Sequence, residues 1–146
     1  VGEDEYAMEI DELMTFFCLI VGSRAYDDYE TFSKIVDKAL SSKQDQEIII
    51  VSGGAKGADQ MAERYAKEHG YHLIVMEADW DNLGKKAGPV RNEQMHRFIS
   101  HFPNRGALAF WNGKSRGTAT NFKLAEKYGN QIRVYNYIEK RFAVHS

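Results

Sequence analysis

Five short apolar runs punctuate the chain: residues 16–21 (FFCLIV), 48–51 (IIIV), 73–76 (LIVM), 107–111 (ALAFW) and 132–135 (IRVY). Each is rich in β-branched or aromatic residues and stops at a glycine, serine, asparagine or acidic residue, the pattern of a strand. Their hydrophobicity is nearly continuous rather than alternating, which predicts burial on both faces, as in a parallel sheet. Between the runs the apolar positions change to a spacing of three and four. Tyr29, Phe32, Ile35, Val36, Ala39 and Leu40 make one such helical face, behind Asp27 and Asp28 as candidate caps. Ala58, Met61, Ala62, Tyr65 and Ala66 make a second, ended by Gly70. Met95, Phe98, Ile99 and Phe102 mark a third that begins near Pro89, and Ala119, Phe122, Ala125 and Tyr128 a fourth, widened by Leu124 and ended by Gly129. Strand and helix alternate throughout, which predicts right-handed crossovers and a doubly wound α/β sheet of about five strands in a single domain.

Length agrees: 146 residues fit one domain with a core of its own. The single cysteine, Cys18, excludes a disulfide framework and a cysteine zinc site, and in an apolar strand it reads as a small buried hydrophobe. No apolar run approaches the ~20 residues of a membrane helix, and the acidic start is unlike the basic start of a signal peptide. A reducing, cytoplasmic setting without a membrane partner is the expectation. The net charge of −2 conceals an asymmetry, because residues 1–13 hold six acids and no Lys or Arg. Residues 14–146 therefore hold all 19 cations against 15 of the 21 acids, a net +4. The chain divides on this reading into an acidic N-terminal extension (1–13), a folded body (14–138) and a C-terminal tail (139–146). A body at +4 is too weakly basic for charge alone to indicate nucleic-acid binding.

In doubly wound sheets, ligands bind beyond the carboxyl ends of the strands. The loops there, residues 22–24, 52–59, 77–92 and 112–118, hold eight of the twelve glycines and seven of the nineteen cations. Glycine admits a close backbone, and helix N-termini present free N–H groups, so the combination points to an anion, foremost phosphate. The strongest local signal is Ser52-Gly53-Gly54-Ala55-Lys56-Gly57-Ala58-Asp59, which leaves a strand and opens a helix. Gly22, Ser23 and Arg24 follow the first strand, where a guanidinium fork suits phosphate or carboxylate. The long 77–92 stretch reads as a functional loop, with Trp80 for stacking and Lys85, Arg91 and Asn92 to cover or orient a ligand. Gly113, Lys114, Ser115, Arg116, Gly117 and Thr118 form a second anion site before the last helix. Asp59, Asp79 and Glu93 are the carboxylates placed to act as general acid or base, Asp59 also being suited to a helix dipole, a hydroxyl or a metal. Two alternatives fail: Gly113-Lys114-Ser115 lacks the earlier glycine of an NTP loop, since position 108 is Leu, and Gly22-Ser23-Arg24 is not a dinucleotide fingerprint. The five histidines have no metal-ligand spacing, and His96 is expected to face solvent on its helix. No metal site and no resident cofactor are expected beyond a nucleotide-derived ligand, with Mg2+ as its conceivable companion.

Taken together, VGSR (21–24), VSGGAKGAD (51–59), ADW (78–80), GKKAGPVRN (84–92) and FWNGKSRGT (110–118) resemble the SLOG superfamily, nearest its YspA-like branch. That superfamily joins the DNA-processing protein DprA/Smf and the Lonely Guy (LOG) proteins. The resemblance covers nearly the whole body and implies a Rossmann-like fold with a site for nucleotides or nucleotide-derived ligands at these loops. LOG proteins are phosphoribohydrolases whose motif P-G-G-x-G-T-x-x-E supplies a catalytic Glu. Gly117 and Thr118 match it, but Asn121 stands at the Glu position. DprA carries a Ser-Gly-x-Ala-x-Gly-x-Asp stretch similar to residues 52–59 and binds single-stranded DNA. The resemblance thus implies three activities: binding or sensing of a nucleotide-derived ligand, hydrolysis of its N-glycosidic or phosphate-linked bond, and single-stranded DNA binding. Self-association as a homo-oligomer is compatible with each.

Overall fold

The computed structural model describes residues 11–143. In chain order the elements are β1 (Thr15–Gly22), α1 (Tyr29–Leu40), β2 (Glu47–Ser52), α2 (Ala58–His69), β3 (His72–Val75), α3 (Trp80–Leu83), α4 (Ala87–Ile99), β4 (Arg105–Trp111), α5 (Arg116–Tyr128), β5 (Ile132–Asn136) and β6 (Arg141–Ala143). They form one sheet in the order β3-β2-β1-β4-β5-β6. The first five strands run parallel and β6 is antiparallel to β5. This is a Rossmann-like α/β domain with a helical layer on each side.

The continuous apolar runs are explained by the central strand. On β1, Phe16, Cys18 and Ile20 point to one side and pack with Phe32, Val36 and Leu40 of α1 and Tyr65 of α2. Phe17, Leu19 and Val21 point to the other and pack with Met95 and Ile99 of α4 and Phe122 of α5. A strand buried on both faces has no polar positions to alternate with. Cys18 is buried, which pushes its thiol up to about 12 and leaves it inert.

Three features depart from the sequence reading. The sheet has six strands, because Arg141–Ala143 pairs with β5, Tyr135 lying opposite Phe142. The connection is a turn in which Asn136 Oδ1 accepts from the N–H groups of Ile138 and Glu139, both at 3.0 Å. The 77–92 stretch is not an open loop: α3, a 3-10 turn at Gly84–Lys86 and the first turns of α4 occupy most of it. His96 does not face solvent but is fully buried between α4 and α5. At the N-terminus, Asp11 caps a 3-10 turn at Glu12–Met14. The rest of the acidic extension, residues 1–10, and residues 144–146 of the tail lie outside the described residues. Among the described residues, no helix is long and apolar enough to cross a membrane.

Candidate functional site

The strand order reverses between β1 and β4, and a crevice opens beyond their carboxyl ends. It is a cleft of about 430 Å3. Ser23 and Asp59 form its floor, Ser115, Gly117, Thr118 and Asn121 one wall, and Arg24 and Trp80 the opposite rim, with Gly22, Arg91 and Asn92 also lining it. The floor is stitched together by backbone. Ser23 N–H donates to Phe110 O at 2.9 Å, and Ser23 O accepts from Ala58 N–H at 3.3 Å. This approach is what demands glycine at residue 57 (φ +77°), where a Cβ would lie 2.3 Å from Ser23 O. A Cβ on Gly22 would likewise meet Ala58 Cβ at 2.6 Å.

The glycine-rich loop is braced from within. Ser52 Oγ, beneath the loop, donates to Asp59 O at 3.0 Å and accepts from Gly54 N–H at 3.3 Å. Asp59 Oδ2 accepts from Ala55 N–H at 3.2 Å. Arg91 is buried; it donates through Nη1 to Gly53 O and through Nε to Asn92 Oδ1 at 2.9 Å. Two of the loop N–H groups are thus already used, and the Arg91 guanidinium is a strut between α4 and the loop rather than a cover. Gly53, Gly54 and Lys56 face a neighbouring depression that shares Arg24, Trp80 and Arg91 with the cleft.

The α5 wall is arranged differently. Ser115 Oγ caps the helix by accepting from Thr118 N–H at 3.3 Å, and Asn112 Oδ1 holds the N–H groups of Lys114 and Ser115 at 2.8 and 2.7 Å. The N–H groups of Arg116 and Gly117 find no acceptor among the described residues. They are two of the orphan donors that every helix start leaves. Behind this turn, Asn121 donates to Gly117 O and Thr118 O, and its Oδ1 lies 3.1 Å from His96 Nε2. Asn130 Nδ2 stands 3.2 Å from His96 Nδ1. An amide oxygen only accepts and an amide nitrogen only donates, so His96 is neutral with its proton on Nε2. Burial pushes its pKa down to about 4, partly offset by the Asn121 bond.

Asp59 is the carboxylate that the fold brings to the floor. Burial raises its pKa to about 6, against the lowering influence of Ala55 N–H, Arg91 and Arg24. Its Oδ1 and Ser23 Oγ have no hydrogen-bond partner among the described residues. The other two acids are elsewhere. Asp79 is exposed and caps α3 through Asn82 N–H at 3.3 Å. Glu93 points outward from α4 to Lys127 and to Tyr128 Oη, the latter at 2.9 Å, and does not line the cleft. Lys85, Lys114 and Arg116 are exposed beside the cleft rather than lining it, and Gly113 forms the turn before α5. Asn121 lines the cleft and is absent from the predicted ligand contacts. Asn121 was within reach, three residues past Thr118 on the same helix face.

Residues 18–82 match the YspA, cpYpsA-related SLOG family. Over 128 residues the chain is 36% identical to the Gene 61 protein of Mycobacterium phage D29, covering 84% of this chain and 96% of that protein. The chain belongs to the YspA-related SLOG family. Among solved structures it is similar to DNA processing protein A from Helicobacter pylori, described for its single-stranded DNA binding mode (TM-score 0.60, 18% identity, 84% of this chain and 66% of that one). It is also similar to DprA from Streptococcus pneumoniae (TM-score 0.57, 23% identity, 85% and 51%). At these identities the likeness is one of fold, and this SLOG chain spans about two thirds and half of those two chains. The stretch matched to the SLOG family contains Ser23, Arg24, the glycine-rich loop, Asp59 and Trp80.

Proposed function

We propose that the cleft binds a nucleotide or nucleotide-derived ligand, with phosphate at the start of α5 and the base against Trp80. Gly117 carries this reading. A Cβ on it would meet only Ser115 Oγ, at 4.0 Å, and its φ is not positive; Gly88 is similarly uncrowded, but α4 continues there from the 3-10 turn at Gly84–Lys86. Neither crowding nor backbone strain inside the protein calls for glycine at residue 117, while its N–H is a free donor at the positive end of a helix. Trp80 is 49% exposed at the rim, with the Arg24 guanidinium 5.4 Å from its ring centre, an arrangement that suits a stacked base.

Gly117→Ala is the test. Alanine favours the helix by up to about 1 kcal/mol, so melting temperature holds or rises. Affinity for nucleoside monophosphates and ADP-ribose, measured by calorimetry, should fall at least about tenfold because the methyl occupies the approach to the N–H groups. Unchanged affinity would sink the assignment.

Asp59 supports a second reading, hydrolysis of an N-glycosidic or phosphate-linked bond in the bound ligand. A buried carboxyl with a pKa of about 6 is suited to proton transfer near neutral pH. Turnover abolished in Asp59→Asn would support it; turnover kept would remove Asp59 from the chemistry. A third reading, single-stranded DNA binding, is supported by the fold shared with the Helicobacter pylori protein. The exposed Arg24, Lys56, Lys85, Lys114 and Arg116 around the mouth would then contact the strand. Affinity for a short oligonucleotide should in that case drop steeply between low and moderate salt. Flat affinity counts against it.

A further inference from the structure

Ser23 Oγ and Asp59 Oδ1 are both buried without a hydrogen-bond partner among the described residues. Their residues are 5% and 4% exposed and both line the cleft. Their other polar groups are spoken for. Ser23 N–H and O bond to Phe110 and Ala58. Asp59 Oδ2 takes Ala55 N–H, and Asp59 O takes the Ser52 hydroxyl. Native proteins bury few unpaired polar atoms, because each forfeits its hydration and receives nothing back. Two of them on the floor of one cleft describe a site completed by what it binds.

The chemistry of the pair selects the group. Asp59 Oδ1 as a carboxylate is an acceptor, and a phosphate pressed against it would bring two anions together away from water. A divalent cation is disfavoured by Arg24 and Arg91, both close enough to act on the Asp59 charge. No group of three metal-binding side chains exists among the described residues. Ser23 Oγ both donates and accepts. A pair of neighbouring hydroxyls answers all of this: one donates to the carboxylate, and the other exchanges a hydrogen bond with the serine. Position agrees. With phosphate at Gly117 and the base on Trp80 at the rim, the part of a nucleotide left over the floor is its sugar.

We propose that Ser23 and Asp59 bind the 2′,3′-diol of a ribose and make the cleft selective for ribonucleotides over deoxyribonucleotides. The inference rests on the nucleotide reading above and deepens it. A site built to pair with a hydroxyl rejects the analogue that lacks it, because its own buried atoms are then left unpaired.

The experiment is calorimetric titration of the full chain with AMP, GMP, CMP and UMP and with their 2′-deoxy and 3′-deoxy counterparts. It is done on the unaltered protein, Ser23→Ala, Asp59→Asn and Gly117→Ala, with circular dichroism as the check on folding. The unaltered protein should prefer the ribose form of whichever nucleotide binds by on the order of 10- to 100-fold. Ser23→Ala and Asp59→Asn should each bring that ratio closer to one, by weakening the ribose form more than the deoxy forms. If Asp59→Asn does not fold, Ser23→Ala decides alone. Equal affinity for ribose and deoxyribose forms, with Gly117→Ala still weakening both, overturns the diol site and leaves the nucleotide reading standing. A preference that survives in the folded variants overturns the assignment to these residues. No binding of any of these nucleotides, nor of ADP-ribose titrated alongside them, overturns both readings.

Discussion

Two buried ionisable side chains set opposing pH responses. Asp59 has its pKa raised to about 6 in the folded chain, so the folded state holds this proton more tightly than the unfolded chain does. Its contribution to stability is fullest below about pH 4, the ordinary range of an aspartate, and is lost as pH rises to about 6. His96 has its pKa lowered to about 4, so the unfolded chain takes up this proton first. Its contribution is fullest above about pH 6.5 and is lost as pH falls toward 4. Asp59→Asn removes the first effect. It should be more stable than the parent above pH 6, by on the order of 2–3 kcal/mol, with the advantage gone near pH 4. Chemical denaturation at pH 4, 5, 6 and 7 reads this directly, and equal stabilities at pH 7 would mean that the Asp59 charge is well compensated. Asp59 could be singled out in the sequence because it closes a glycine-rich motif between a strand and a helix. His96 could not, because what buries and neutralises it, Asn121 and Asn130, lies 25 and 34 residues further along.

Among the elements, α3 was the least legible. Its residues, Trp-Asp-Asn-Leu, carry no apolar period, and only local bonds organise them: the Asp79 cap at the start and a glycine, Gly84 at φ +56°, at the end. The element is therefore held by few bonds, and it carries the aromatic ring at the rim. Asp79→Ala should cost about 1 kcal/mol locally. Amide exchange over residues 80–83 should accelerate with little change in melting temperature, and nucleotide affinity should fall several-fold as Trp80 loses its seat. Exchange that stays slow would show that α3 is held by the rim rather than by its cap. The glycine-rich loop was legible in position but only partly in purpose. Its spacing announced a close approach, yet only the folded chain reveals that Ser23 O, rather than a ligand, is what approaches Gly57. Strand β6 escaped notice because three residues with a single apolar pair make no pattern; the open edge of β5 gives them their pairing.

For the molecule as a whole, the apolar runs were enough to place five strands and four helices, because a sheet buried on both faces writes itself plainly into sequence. The same arrangement puts β1 at the junction of two cores, and both should fail together. Leu19 and Ile20 are fully buried on opposite sides of it. Leu19→Ala and Ile20→Ala should each destabilise by about 2–5 kcal/mol, in single cooperative transitions. A separate, early transition in either variant would mean that the two layers fold as independent units. The cleft inherits the same division. Ser23, Asp59 and Trp80 fall within residues 18–82, while Ser115, Gly117 and Asn121 belong to a later stretch, joined to the first through the sheet and through α4, whose Arg91 donates to Gly53 O and whose His96 lies against Asn121. The two banks of the cleft are therefore carried by separate stretches of chain, so substitutions in the later stretch act first on the α5 wall and those within residues 18–82 on the floor and the rim.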